Sequence, residues 1–244
     1  MPQFLIKMIL LSIALATFLA CGEAEETDST NCKTFIEAKS WQEAIDCYED
    51  GDFDESPEDN LEAEEYIYLA TWAGAYAGKY DLTGTAIIES LLEEDGGDEG
   101  EDSGGSPIDF TSQINEYASL GTLSTAVTDM QRCMDLILAI PEAIRDPESD
   151  TAGYYAEDIS KIGAIYAFFL VDLQKKDFDD SLLDTDLTDE ELLDKADALI
   201  ATLENGGSIV SDPELQAQID AQLEELNSQP GDNNKEKLEA LLNQ

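Results

Sequence analysis

Apolar residues recur along this chain with the spacing of an α-helix, and this periodicity limits its fold more than any other feature. Between Thr122 and Ala139 the apolar side chains stand mostly three or four positions apart, and no segment shows convincing alternation of apolar and polar residues. Residues 162–171 are almost wholly apolar, but a helix that crosses a membrane needs roughly 20 such residues. The sequence therefore predicts an all-α protein of stacked antiparallel helical hairpins or an irregular helical bundle, with a buried core helix over 151–175.

Shifts in composition divide the chain into segments. The residues after position 20 are polar and acidic without an apolar face, and residues 93–102 hold seven carboxylates among glycines. We expect an N-terminal signal over 1–20, a flexible tether over 21–30 and a helical-hairpin region over 31–95. An acidic glycine-rich linker or loop follows over 96–108, then a second helical region over 109–228 and a C-terminal tail over 229–244.

Several helix ends are marked by local residue patterns. A serine or threonine followed three positions later by glutamate is the capping box, which occurs at Ser40 and at Thr188 and predicts a helix after each. Gly206 and Gly207 predict the end of the second of these helices. Pro213 predicts the start of another helix, which ends before Pro230.

The charge of the chain excludes several functions. It has 56 acidic and 12 basic residues, a formal net charge of −44, and no histidine. Nucleic acid is excluded as a partner because phosphate binding needs lysine and arginine. The acidity favours a strongly hydrated surface, and a cationic partner or weak binding of divalent cations is the alternative. Because 43% of the residues are hydrophobic, the acidity does not prevent a folded core.

The sequence offers no pattern for catalysis or for a cofactor. Without histidine there is no histidine base, catalytic triad or histidine-ligated metal. Asp50, Asp52 and Asp54 begin like a calcium-binding EF-hand loop, but Glu55 and Leu61 stand where that loop needs glycine and glutamate. We therefore expect a non-enzymatic protein with no catalytic residues, no cofactor and no dedicated metal site.

The N-terminus has the layout of a secretory signal peptide. Lys7 precedes an apolar run from Met8 to Leu19, and the small residue Ala20 follows it. A transmembrane helix is the alternative, but the apolar run of 13 residues to Ala20 falls short of the roughly 20 that such a helix needs. The pattern predicts export with cleavage after Ala20.

The residues at the predicted cleavage site indicate a lipid anchor. Ala20 and Cys21 resemble the end of a bacterial lipoprotein signal peptide, although Phe18 and Leu19 differ from the family pattern. The resemblance implies that Cys21 carries acyl chains such as palmitate, which attach the protein to a membrane of the bacterial cell envelope. Gly22 stands where an aspartate would signal retention, so the resemblance implies the outer membrane, with the body of the protein facing the periplasm.

The first half of the chain also has a repeat-like spacing. Trp41, Ala44 and Tyr48 are spaced like Tyr80, Thr83 and Ile87, and the second set starts 39 residues after the first. Both sets resemble the second helix of tetratricopeptide repeats, which recur about every 34 residues. Over residues 31–92 the resemblance implies stacked helical hairpins, and generic helical hairpins are the alternative.

Three cysteines remain once Cys21 is lipidated. A single straight helix would place Cys32 and Cys47 about 22 Å apart, too far for a disulfide. The capping box at Ser40 indicates a break midway between them, and the two arms of a hairpin would place the cysteines opposite each other. We therefore predict a Cys32–Cys47 disulfide, which an exported protein can keep. Cys133 lies on an apolar helix face and is expected to be a buried free thiol.

These inferences favour one function over another. We expect a lipid-anchored scaffold or interaction module of the cell envelope, with the membrane and an unidentified protein as its partners. The alternative is a transport accessory that binds a small ligand between its helices. Trp72, Tyr76 and Tyr166 would line such a pocket.

Overall fold

The computed structural model describes residues 29–51, 53–54, 66–82, 110–149, 152, 155–184, 186–210 and 213–243. These residues form helices joined by turns and contain no strand, which confirms the predicted all-α class. In chain order the helices are α1 (Ser29–Glu37), α2 (Trp41–Asp50), α3 (Ile67–Gly78), α4 (Thr111–Leu120), α5 (Leu123–Leu138), α6 (Glu142–Arg145), α7 (Ala156–Ser181), α8 (Asp189–Ile209), α9 (Pro213–Ser228) and α10 (Asn234–Leu242).

The helices pack in a sequence of neighbours around α7. Helix α7 packs against α4, α5, α6 and α8, and the C-terminal helices α9 and α10 pack on α8 and on each other. On the other side, α3 packs on α5, α2 on α3, and α1 mainly on α2. Helices from before and after the acidic segment 96–108 are therefore in direct contact through α3 and α5.

Helix α7 is the predicted core helix, displaced toward the C-terminus. Its middle is buried throughout, and Phe169, Leu170 and Leu173 are fully covered. The helix ends at Ser181, six residues later than 175, because Phe178 is also fully buried and anchors the last turn. None of the described helices combines the length and the apolar character that crossing a membrane requires.

The predicted end of α8 at Gly206 and Gly207 is wrong, since the helix continues to Ile209. A Cβ on Gly206 would lie 2.9 Å from the Cβ of Ala167, so this glycine lets α8 pack closely on α7. The last turn of α8 is capped by other helices instead. Ser160 Oγ donates a hydrogen bond to the carbonyl of Ile209 at 2.9 Å, and Arg145 Nη1 donates to the carbonyl of Ser208 at 2.7 Å.

The two predicted capping boxes have different outcomes. At Thr188 the box is present, with its hydroxyl accepting from the Glu191 amide and the Glu191 carboxylate accepting from the Thr188 amide. Ser40 also stands before the first residue of a helix, but its side chain makes no capping hydrogen bond. The Ser40 amide already donates to the carbonyl of Phe35 at 2.8 Å, so the reciprocal bond of a capping box cannot form there.

The amide of Ser40 belongs to a helix-ending motif that occurs three times among the described residues. Lys39, Asp81 and Gly121 have φ angles of 56°, 56° and 69°, and the amide after each donates to the carbonyl five residues earlier. This is the Schellman motif, whose left-handed residue is usually glycine. It reverses the chain between α1 and α2, follows the end of α3 at Gly78, and turns the chain from α4 into α5.

Two glycines of α3 give a matched pair of substitutions. A Cβ on Gly78 would lie 2.5–2.7 Å from the ring of Trp41, whereas a Cβ on Gly74 meets nothing within 4 Å. We expect Gly78→Ala to lower the free energy of unfolding by about 1–3 kcal/mol through the clash with the ring. Gly74→Ala should raise it by up to about 1 kcal/mol through helix propensity. Urea unfolding followed by circular dichroism measures both, and equal effects of the same sign would contradict the packing of α2 on α3.

Candidate functional site

The N-terminal hairpin formed by α1 and α2 carries the predicted disulfide. Cys32 and Cys47 are bonded, with their Cα atoms 5.4 Å apart. The turn at Lys39 brings the two arms of the hairpin together, as the position of the break predicts. Cys32 is fully buried and Cys47 is half-buried, so the bond lies at the edge of the protein core.

An aromatic cluster connects this hairpin to α3 and α5. The ring of Trp72 is 1% exposed and stacks on Tyr48, with their centroids 5.6 Å apart and their planes at 17°. The guanidinium of Arg132 lies 5.4 Å from the centre of the Trp72 ring, the arrangement of a cation–π contact. Among the residues that the structure describes, the indole Nε1 of Trp72 is a buried donor without an acceptor. The cluster therefore holds α2, α3 and α5 together mainly through ring packing.

A polar contact closes the rim of the same cluster. The hydroxyl of Tyr76 donates a hydrogen bond to the carboxylate of Glu49, which joins α3 to the C-terminal end of α2. Arg132 also interacts with this hydroxyl, and its charge lowers the pKa of Tyr76. Burial and Glu49 outweigh that effect, so the pKa of Tyr76 lies well above its ordinary value. At neutral pH Tyr76 is therefore a neutral donor to Glu49.

A second polar contact joins residues before the acidic segment 96–108 to residues after it. The hydroxyl of Tyr80 donates to Asp129 Oδ2 at 2.6 Å, and Lys79 forms an ion pair with the same carboxylate. Deeper in the core, the thiol of Cys133 donates to the carbonyl of Ala73 at 3.3 Å. Asp129 and Cys133 lie on α5, so α3 and the turn that follows it are bound to α5 by both polar and buried contacts.

The aromatic hydroxyls at these contacts are harder to ionise than free tyrosine. Burial raises the pKa of Tyr48 and of Tyr80, and the hydrogen bond to Asp129 raises that of Tyr80 further. The pKa of Tyr68 rises to about 12 through burial and the neighbouring charges of Asp54 and Tyr66. The folded protein therefore keeps these protons at a pH where an unfolded chain, whose tyrosines ionise near about 10, releases them.

This difference predicts a loss of stability in alkaline solution. The stabilising contribution is complete below about pH 10 and is lost as the pH rises toward the folded-state values, because the unfolded state releases its protons first. Tyr80→Phe removes one of these groups, so we expect its stability to fall less steeply above about pH 10 than that of the wild type. Urea unfolding across this pH range measures both slopes, and parallel curves would contradict the contribution of Tyr80.

The structure places the remaining predicted site residues as follows. Trp72, Tyr76 and Tyr166, which would line a ligand pocket, are 1%, 6% and 4% exposed and belong to the hydrophobic core. Cys133 is the buried free thiol that its helix face predicts. Cys21 and the acidic segment 93–102 lie outside the described residues.

The described residues contain no group of three or more acidic or cysteine side chains placed to hold a metal ion. In the loop compared with the EF-hand, Asp52 lies outside the described residues, and Asp54 accepts a hydrogen bond from Tyr68 through its backbone carbonyl.

Many of the basic side chains on the described surface form ion pairs. Each of six lysines pairs with at least one carboxylate, and these are Lys79, Lys161, Lys175, Lys176, Lys195 and Lys235. Because carboxylates outnumber bases by 56 to 12, the pairing leaves a surface dominated by acidic groups. Such a surface repels anionic lipid headgroups and attracts cationic partners.

Arg145 has a structural role that the sequence did not predict. It is 6% exposed, and its guanidinium donates to the carbonyls of Ile140 and Ser208 at 3.2 and 2.7 Å. Burial lowers the pKa of Arg145, against the opposing effect of Glu142 and Asp146. No local pattern marks Arg145, and its structural role comes from the hydrogen bond that joins α6 to the end of α8.

The comparisons with known proteins add no family. The sequence matches no protein-family model, and no curated protein or solved structure matches it.

Proposed function

We propose that this chain is a lipid-anchored protein of a bacterial cell envelope that acts as a non-enzymatic helical interaction module. Acyl chains on Cys21 would hold it to a membrane, the outer membrane more readily than the inner one. The helical body would then bind a protein partner close to that membrane. The proposal combines the signal-peptide pattern over 1–20 with a helical body whose sequence shows no recognised catalytic motif.

The Cys32–Cys47 disulfide is the observation that carries this proposal. Disulfides persist in exported proteins and are rare in the reducing cytosol. This one lies in the first described helices after the proposed anchor, with its Cα atoms at a separation suited to a bond. Its presence agrees with a chain that leaves the cytosol, which is what the signal-peptide pattern over 1–20 predicts.

The acidic surface supports the role of the acyl chains. With a net charge of −44, the body would be repelled by anionic headgroups, so electrostatic attraction cannot replace a lipid anchor. The burial of Trp72, Tyr76 and Tyr166 favours an interaction module over a transport accessory that binds a ligand between these helices. Their rings contact other protein groups in the core instead of facing an opening.

A tetratricopeptide arrangement of the N-terminal region is part of the proposal. Ala44 and Tyr48 lie on the buried face of α2 at 0% and 2% exposure, as the repeat pattern requires. The ring of Trp41 approaches Gly78 closely, so the small residue accommodates the aromatic one. The second set, which includes Thr83 and Ile87, extends outside the described residues.

Substitution of the proposed anchor tests the localisation. In a bacterium with two membranes that is fed an alkyne analogue of palmitate, we expect the wild type to be labelled and to sediment with the membranes. Cys21→Ser should be unlabelled and should appear in the soluble periplasmic fraction. Cys133→Ser also lacks one thiol and should behave like the wild type. An unlabelled wild type, or Cys21→Ser that remains in the membranes, would contradict the anchor.

Crosslinking of the anchored protein in cells tests the interaction role. Pull-down followed by mass spectrometry should recover the same protein partner in repeated experiments. A bound small molecule without any crosslinked protein would overturn the interaction module and support the transport accessory.

A further inference from the structure

Helix α1 packs mainly on α2 and buries few of its own side chains. Of its side chains from Cys32 to Glu37, only Cys32 is fully buried, while Ile36 is partly covered and Phe35 is 37% exposed. The helix has nine residues, and a helix of this length is not stable in water without support from packing. The covalent bond through Cys32 is therefore a main part of its attachment.

Helix α2 is attached in a different way. Its residues Ala44, Ile45 and Tyr48 are buried, and Tyr48 stacks on Trp72 of α3. The stacking of Tyr48 on Trp72 does not involve α1, so α2 keeps this contact with α3 when α1 is removed. The turn at Lys39 separates the two helices. Lys39 adopts a left-handed conformation, which is unfavourable for a residue other than glycine, so the turn is the weakest point of the backbone between them.

We propose that the Cys32–Cys47 disulfide is a redox-sensitive latch that docks α1 on the body, and that a dithiol reductant releases α1 while α2 and the core remain folded. The half-buried Cys47 is the accessible end of the bond, and Cys32 is the buried end. The hairpin thus has a switchable first helix on a stable second one.

The exchange is a two-electron reduction by the dithiol. One thiolate of the reductant attacks Sγ of Cys47, the S–S bond breaks, and Cys32 leaves as a thiolate that takes up a proton. The second thiol of the reductant loses its proton and attacks the mixed disulfide, which releases Cys47 as a thiolate that is then protonated. The protein gains two electrons and two protons, and the dithiol becomes a disulfide.

Release would change how far the body reaches from the membrane, a consequence that rests on the proposed lipidation of Cys21. With α1 docked, the chain from Cys21 to Ser29 spans at most about 28 Å when fully extended. With α1 undocked and unwound, the chain from Cys21 to Trp41 spans at most about 70 Å. The latch would therefore set the distance at which an envelope partner can be bound.

Hydrogen exchange of the full chain before and after treatment with dithiothreitol tests the latch. Breaking a loop of this length should lower the protection of the amides of Ala38, Lys39 and Ser40 by roughly a hundredfold. The amides of α2 near Tyr48 and of α7 near Phe169 should keep their protection. Unchanged protection at Ala38–Ser40, or equal loss in α2, would overturn the proposal.

Two variants separate the latch from the anchor and from general damage. Cys32→Ser combined with Cys47→Ser should reproduce the exchange pattern of the reduced wild type without any reductant. Cys133→Ser should respond to dithiothreitol as the wild type does, because its thiol is outside the bond. Full-length Cys21→Ser should also show the local release, so a failure of lipidation would leave the latch result intact.

Discussion

Phe169→Ala should lower the free energy of unfolding by about 3–5 kcal/mol, because it removes a fully buried ring that several segments share. The ring lies 5.0 Å from that of Phe110 and 6.3 and 6.4 Å from those of Tyr80 and Tyr117, measured between centroids. Each such pair contributes about 0.5–1.5 kcal/mol beyond the buried area. A loss of this size is a large part of the roughly 5–15 kcal/mol that stabilises a typical domain.

The same substitution tests whether the two sides of the acidic segment unfold together. Trp41 and Trp72 are the only tryptophans and precede that segment, whereas Phe169 follows it. Tryptophan fluorescence and circular dichroism should therefore show one shared and lowered urea midpoint for Phe169→Ala. Phe35→Ala, at a ring that is 37% exposed, should cost less than about 1 kcal/mol. A fluorescence midpoint that stays at the wild-type value would contradict the coupling through α3 and α5.

Trp72→Ala should also lower the free energy of unfolding by about 3–5 kcal/mol, because it removes a buried ring where α2, α3 and α5 meet. The substitution removes the stacked partner of Tyr48 and the ring beneath Arg132, so contacts of α3 with both α2 and α5 are lost. The cavity lies where these three helices meet, and the surrounding backbone cannot close it without moving a helix.

Trp72→Phe is the informative companion variant. Phenylalanine keeps an aromatic ring next to Tyr48 and removes the indole N–H, which has no acceptor among the described residues. Loss of an unsatisfied buried donor offsets part of the lost volume, so the cost should fall to about 1–2 kcal/mol. Urea unfolding by circular dichroism measures all three proteins. If Trp72→Phe is as unstable as Trp72→Ala, the stacked arrangement is not the main source of stability.

The helices and the disulfide were predictable because both depend on local patterns. Apolar spacing over 122–139 predicted a helix close to α5, since a helix must bury one face whatever it packs on, and Pro213 predicted the start of α9. Residues 234–242, which were expected to belong to a C-terminal tail, form α10. The Cys32–Cys47 bond followed from a helix break midway between the two residues. Symmetry of a hairpin about its turn needs no knowledge of the rest of the fold.

Two predictions from short residue patterns are wrong because a neighbouring helix gives the residue another role. Gly206 reads as a helix end, but α7 approaches so closely there that only glycine fits. Ser40 reads as the first residue of a capping box, but its amide is already used by the turn that ends α1. In each case a contact with another element decides the role of a residue whose local meaning is different.

The sequence alone determined the helical class, the charge of −44 and the candidate export signal that ends before Cys21. These features depend on composition and on the order of neighbouring residues. The tertiary structure alone decided that Trp72 stacks on Tyr48, that Arg145 caps α8, and that Cys32 is the one fully buried side chain among residues 32–37 of α1. Such contacts join residues far apart in the chain, and their geometry depends on how whole helices pack against one another.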